Sequence, residues 1–118
     1  MADVTVLHNP RCATSRHALE VIEAEGVDAQ VVPYLKEPLD QPALRRLIDQ
    51  LEDEPTALVR RDAFFRDQGL TDADVATVDQ VVAVLVQHPR LMERPVIVRD
   101  GRAIIGRPKG RVAPFVTG

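Results

Sequence analysis

The chain has 118 residues, 45% of them hydrophobic and 3% aromatic, and a formal net charge of −3. That length fits a single domain spanning 1–118 whose core is filled by Val, Leu, Ile and Ala. Acidic and basic residues are interspersed, which excludes the one-sided basic surface of a general nucleic-acid binder. No apolar run approaches the roughly 20 residues of a membrane span. The opening Met1-Ala2-Asp3-Val4 has neither the basic nor the apolar region of a signal peptide. A cytoplasmic protein is expected, with neither nucleic acid nor membrane as partner.

In chain order, Val4-Thr5-Val6-Leu7 reads as a short buried strand. Apolar residues at Ala18, Leu19, Val21 and Ile22 then predict a helix over about 14–25, stopped by Gly26. Ala29 to Tyr34 predicts a second strand, with Pro33 confined to an edge or strand end because it lacks a ladder donor. Asp40 is a candidate N-cap for a helix whose apolar stripe is Ala43, Leu44, Leu47, Ile48 and Leu51. A short helical turn after Pro55 delivers Arg60 and Arg61, and residues 63–69 carry no clear pattern. Thr71 or Asp72 is placed as a cap. Val78 to Gln87 predicts a helix burying Val81, Val82, Leu85 and Val86, stopped at His88-Pro89. Asp100-Gly101 between Pro95–Arg99 and Arg102–Ile105 is a strong hairpin signal. The expected fold is α/β and thioredoxin-like: a four-stranded mixed sheet flanked by helices, with a helical insertion over approximately 40–90 between its βαβ and ββα halves.

Cys12 is the one cysteine. Residue type alone favours a small buried hydrophobe, but its neighbours are Pro10, Arg11, Thr14 and Ser15 rather than an apolar period. A strand-to-helix loop places the sulfur at the unpaired N–H groups of a helix's first turn, where a thiolate is favoured. Arg11, Arg16 and His8 are expected to add positive field. Because no second cysteine exists, any redox cycle borrows its other thiol from another molecule. His8, His17 and His88 show no ligand spacing with Cys12, and no metal site is assigned.

Two arginines precede prolines at strand joints, Arg94-Pro95 and Arg107-Pro108, where the backbone aims the side chain. Arg60 closes the middle helical turn. Converging on Cys12, these three would cage a tetrahedral oxyanion, because guanidinium groups pair with such oxygens bidentately and keep their charge.

The set His8-Asn9-Pro10-x-Cys12-x-x-Ser15-Arg16, Tyr34-Leu35, Pro38, Leu58-x-Arg60, His88-Pro89-x-Leu91-x-x-Arg94-Pro95 and Gly106-Arg107-Pro108 resembles the arsenate reductase family of the glutaredoxin-coupled, thioredoxin-like type. The resemblance implies that Cys12 is the nucleophile and that Arg60, Arg94 and Arg107 hold arsenate and its thiol adducts. It implies that His8 helps keep the cysteine ionised, that Ser15 hydrogen-bonds near the sulfur, and that Pro95 is the cis-proline beside the site. Ala13 stands where a glycine is frequent, and the chain ends soon after Phe115, where many members carry a longer tail.

The implied reaction is reduction of arsenate to arsenite through a Cys12 thioarsenate. Glutathione or another small thiol is the co-substrate, glutaredoxin clears the mixed disulfide, and no bound cofactor is required. Two rival readings share the fold. A redox-sensing transcription regulator that binds RNA polymerase carries C-x-x-C, where this chain has Ser15. A glutathione-dependent thiol reductase of other substrate lacks the Gly-Arg-Pro arginine, which this chain has as Arg107.

Overall fold

Strands β1 (Val4–Leu7), β2 (Ala29–Val32), β3 (Val96–Arg99) and β4 (Arg102–Ile105) form one sheet in the order β2-β1-β3-β4. These come from a computed structural model that describes residues 2–118. β1 runs parallel to β2, with Val4 opposite Ala29, and antiparallel to β3, with Val6 opposite Ile97; β3 and β4 are antiparallel. This is the thioredoxin-like mixed sheet expected from the element order.

Both faces of the sheet are covered, and strand alternation decides which side chain goes where. Val4, Val6, Ile97 and Ile104 pack with Ala18 and Ile22 of helix α1 (Ala13–Ala24) and with Phe115 of helix α5 (Val112–Thr117). On the other face Leu7, Val96, Ala103 and Ile105 meet the helices between β2 and β3: α2 (Gln41–Gln50), α3 (Ala63–Asp67) and α4 (Val78–Gln87). Asp40 caps α2, its carboxylate accepting from the Ala43 N–H at 2.9 Å.

Boundaries shift where local chemistry outweighs pattern. Residues 63–67 are helical because the Asp62 carboxylate caps them, accepting from the Phe65 N–H at 3.0 Å. Thr71 caps a short 3-10 turn, Asp72–Val75, and Thr77 caps α4 through a reciprocal pair with Gln80. On α4, Val86 is 46% exposed and Val84 is buried in its place. The apolar run is continuous there, so residue type could not fix the buried face. β2 ends at Val32, before Pro33.

The helical segment is tied to β4 by polar contacts. Asp53 Oδ2 accepts from the Ile105 N–H at 2.9 Å and Oδ1 from Arg111 Nη1 at 2.8 Å. At the hairpin, Asp100 (φ 51°) and Gly101 (φ 76°) both have positive φ, which matches the twist of the strands they join. No helix is long and apolar enough to cross a membrane among the described residues.

Candidate active site

Cys12 is the N-cap residue of α1, at the end of the loop that follows β1. Its backbone is extended (φ −98°, ψ 120°), its carbonyl accepts from the Arg16 N–H at 3.0 Å, and its own N–H donates to the Asn9 carbonyl at 3.0 Å. The sulfur therefore stands where a capping oxygen would, facing the second and third N–H groups of the helix. No conventional capping hydrogen bond forms, but these N–H groups favour negative charge.

The Cys12 pKa lies below its ordinary value. Burial of the thiol works against ionisation, and the Ser15 N–H, the Arg94 guanidinium and the Thr14 N–H together outweigh it. Arg107 Nη2 donates to Sγ at 3.3 Å, and Arg94 acts on the thiol through hydrogen bonding as well as charge.

The positive field expected from Arg11, Arg16 and His8 has a different source. The Arg16 guanidinium turns back to donate to the Pro10 carbonyl at 2.8 Å, and Arg11 is exposed. His8 is buried, and burial, then the Arg16 charge, lowers its pKa and holds it neutral. Its Nδ1 lies 2.7 Å from Ser15 Oγ, which also accepts from the Asn9 N–H at 3.1 Å. The Ser15 hydroxyl thus braces the loop, and it is the Ser15 backbone that faces the sulfur.

Arg94 and Arg107 reach the thiol together because Gly106 packs against Pro95. A Cβ on Gly106 would lie 2.8 Å from Pro95 Cγ, so only glycine allows this approach. The Gly106 N–H donates to the Pro95 carbonyl at 2.8 Å, and Arg107 Nε donates to the Arg94 carbonyl at 2.8 Å. Both Arg94-Pro95 and Arg107-Pro108 are cis. Arg94 Nε is buried without a partner.

Arg60 arrives differently. Val59 and Met92 form an isolated antiparallel bridge, with the Arg60 N–H on the Leu91 carbonyl and the Glu93 N–H on the Leu58 carbonyl, each at 2.7 Å. Arg60 and Glu93, which follow the buried Val59 and Met92, line a cleft of about 220 Å³ together with Arg61, Asp62 and Arg107. Glu93 Oε1 lies 3.9 Å from Arg60 Nη1 and 3.6 Å from Arg107 Nε. Asp62 Oδ2 is 3.5 Å from Arg60 Nε. The geometry places Arg94 and Arg107 at the sulfur and links Arg60 to Arg107 through Glu93.

Sequence reading missed Glu93, although Leu58-Val59-Arg60 and Leu91-Met92-Glu93 share one apolar-apolar-charged pattern. It also assigned no role to Asn9, whose Oδ1 accepts from the Arg11 N–H at 3.0 Å and closes the loop. Tyr34 is buried beside the site with its hydroxyl unpartnered; burial raises its pKa and keeps it neutral. Among the described residues no group of three His, Cys, Asp or Glu is placed to hold a metal ion.

The ArsC family model matches residues 7–115, which include Cys12 and all three arginines. The chain belongs to the ArsC family. This ArsC-family chain is 36% identical over 115 residues to the uncharacterized protein YfgD of Escherichia coli (strain K12), covering 96% of each. It is 34% identical over 110 residues to the arsenate reductase of Neisseria meningitidis serogroup A, covering 92% of this chain and 93% of that one. The structure of the arsenate reductase from Vibrio cholerae superimposes with a TM-score of 0.81 at 32% identity, covering 96% of this chain and 97% of that one.

Proposed function

We propose that this protein is an oxidoreductase that reduces arsenate to arsenite. The observation that carries the reading is the 3.3 Å contact from Arg107 to a Cys12 sulfur already disposed to ionise. A disulfide exchanger needs the thiolate but no guanidinium at the sulfur. An oxyanion reductase needs both, since the atom attacked carries negative oxygens. The arsenate reductases among the relatives support the same choice.

In this reading the Cys12 thiolate attacks arsenic, an S–As bond forms, and one arsenate oxygen leaves as water after taking up protons. Arg94 and Arg107 stabilise the charge on the remaining oxygens as the bond order shifts, and Arg60 completes the cage. A glutathione thiolate then attacks the Cys12 sulfur. The S–As bond breaks with its electron pair on arsenic, which leaves as As(III), and Cys12 and glutathione are joined by a disulfide. A glutaredoxin thiol attacks that disulfide and restores Cys12. Two thiols are oxidised and one arsenic is reduced by two electrons. His8 and Ser15 act as positioning residues that hold the loop, and Pro95 positions Arg94.

The test is arsenate-dependent NADPH oxidation with glutathione, glutaredoxin and glutathione reductase, run on the wild type beside C12S and R107A. Turnover that requires Cys12 is expected. Absence of arsenate-dependent turnover with any small-thiol system overturns the reading, and a wild-type rate from C12S overturns the covalent route.

A further inference from the structure

Glu93 is a carboxylate inside a cluster that the proposed reaction needs to be cationic. It is not a surface partner that happens to be near. The Val59–Met92 bridge fixes its backbone, and its side chain is only 25% exposed. Its Oε1 lies within 3.9 Å of Arg60 and 3.6 Å of Arg107, spanning the cleft between the two cations.

The charges facing the cleft can be named. Arg60, Arg61, Arg107, Asp62 and Glu93 line it, and Arg94 and the Cys12 thiolate lie beside it; four positive and three negative groups leave a single positive excess. Asp62, at 3.5 Å from Arg60 Nε, offsets part of Arg60 from the α3 side. Arg61 lines the same cleft but is committed elsewhere, its Nε 3.2 Å from Asp72 Oδ1 and its Nη1 on the Val59 carbonyl at 2.6 Å. Arg16 faces the Pro10 carbonyl, and His8 faces the Ser15 hydroxyl. A doubly charged oxyanion entering this cleft meets a like charge that is held in place, and a singly charged one with protonated oxygens meets a hydrogen-bond acceptor.

We propose that Glu93 is a specificity-determining residue, the resident anion of the arginine cluster, which makes the site favour a singly charged, protonated oxyanion over a doubly charged one. This rests on the oxyanion reading above and adds the ionisation state that the site selects. The bound anion donates an O–H to Glu93 and accepts from Arg60 and Arg107, so the carboxylate remains in the site.

The experiment uses inorganic phosphate and sulfate as probes, because phosphate is largely singly charged at mildly acidic pH while sulfate stays doubly charged. Each is titrated, at constant ionic strength, for protection of Cys12 from iodoacetamide in the wild type, E93Q, E93N and E93D. The wild type is expected to bind phosphate more tightly than sulfate. Both neutral variants should bind sulfate about five- to tenfold more tightly than the wild type, the scale of one half-buried charge contact, with little gain for phosphate. E93D keeps the charge and should keep the preference, and E93N repeats the result should E93Q not fold. An unchanged phosphate-to-sulfate ratio in the neutral variants overturns the proposal, as does an equal weakening of both anions, which would make Glu93 only a brace for the arginines. Failure of phosphate to protect wild-type Cys12 overturns it too. Because no turnover is measured, protection with the expected ratio but no arsenate reduction overturns the reductase reading alone.

Discussion

The thiol half of the site is drawn from one contiguous stretch, His8 to Arg16, whereas the cation half is drawn from Arg60, Arg94 and Arg107, each on a different joint of the fold. In the first half the backbone does most of the work. The helix N–H groups, the Asn9 carbonyl and the Ser15 hydroxyl brace a loop that would take nearly the same shape wherever a strand enters a helix. In the second half nothing is local. Arg94 and Arg107 are brought together by the contact of Gly106 with Pro95, and Arg60 by a bridge between two non-adjacent segments. A reactive thiol can thus be specified by a short sequence, but the chemistry it is applied to depends on how the rest of the chain closes around it.

The largest effects should expose that division. R107A removes the guanidinium in contact with sulfur, and arsenate-dependent kcat should fall about 10²- to 10³-fold, the scale of losing one preorganised charge-stabilising donor. R60A, which removes a cation already shared with Asp62 and Glu93, should cost about fivefold or less, as partly exposed ion pairs do. Equal losses in the two variants would erase the distinction between them. G106A should destabilise the fold by about 1–3 kcal/mol in urea unfolding, the usual cost of forcing a methyl into packed atoms, and should lower kcat as well because Arg94 and Arg107 separate. Stability loss with unchanged kcat would show that the two arginines are held by something else.

Smaller effects lie in the titration of Cys12. R94A should raise the pH midpoint of Cys12 alkylation toward that of a free thiol, whereas R16Q should leave it in place because that guanidinium is turned to Pro10. A shift in R16Q would restore the local positive field that the geometry denies. The same ionisation is linked to folding. The folded-state pKa is depressed, so the thiolate's contribution to stability is fully present above the unfolded pKa and is lost as pH falls through the folded one. The stability of the wild type relative to C12S should therefore rise with pH between those two values and be flat outside them. A flat difference throughout would mean that no net field acts on the sulfur.

Much of this was legible in the residues. The four strands, the Asp40 cap, the Gly26 stop and the Asp100-Gly101 turn follow from short-range chemistry, whereas the strand order β2-β1-β3-β4 is set by how the chain closes. The loop around Cys12 was readable for the same reason. What could not be read was direction. Arg16 and His8 flank the cysteine in sequence, yet one donates away from it and the other is neutral by burial, a property of the folded interior. Glu93 was invisible because its partners lie more than one element away, and a glutamate beside Arg94 reads as ordinary charge alternation. The wrong face given to Val86 has a similar cause, since a run of valines carries no phase.

The contact between Gly106 and Pro95 has a further consequence. It ties the two arginine-proline joints together before any anion arrives, through a 2.8 Å bond from the Gly106 N–H to the Pro95 carbonyl and a 2.8 Å bond from Arg107 Nε to the Arg94 carbonyl. Ordering a long, rotamer-rich side chain on binding costs about 0.5–1.5 kcal/mol, and for Arg107 much of that loss is already incurred when the chain folds. Arg60 is held by its own backbone pairing with Leu91, and its guanidinium meets that of Arg107 only through the Glu93 carboxylate. Replacing that carboxylate would then free the Arg60 guanidinium while Arg107 stays on the Arg94 carbonyl, in register with the sulfur.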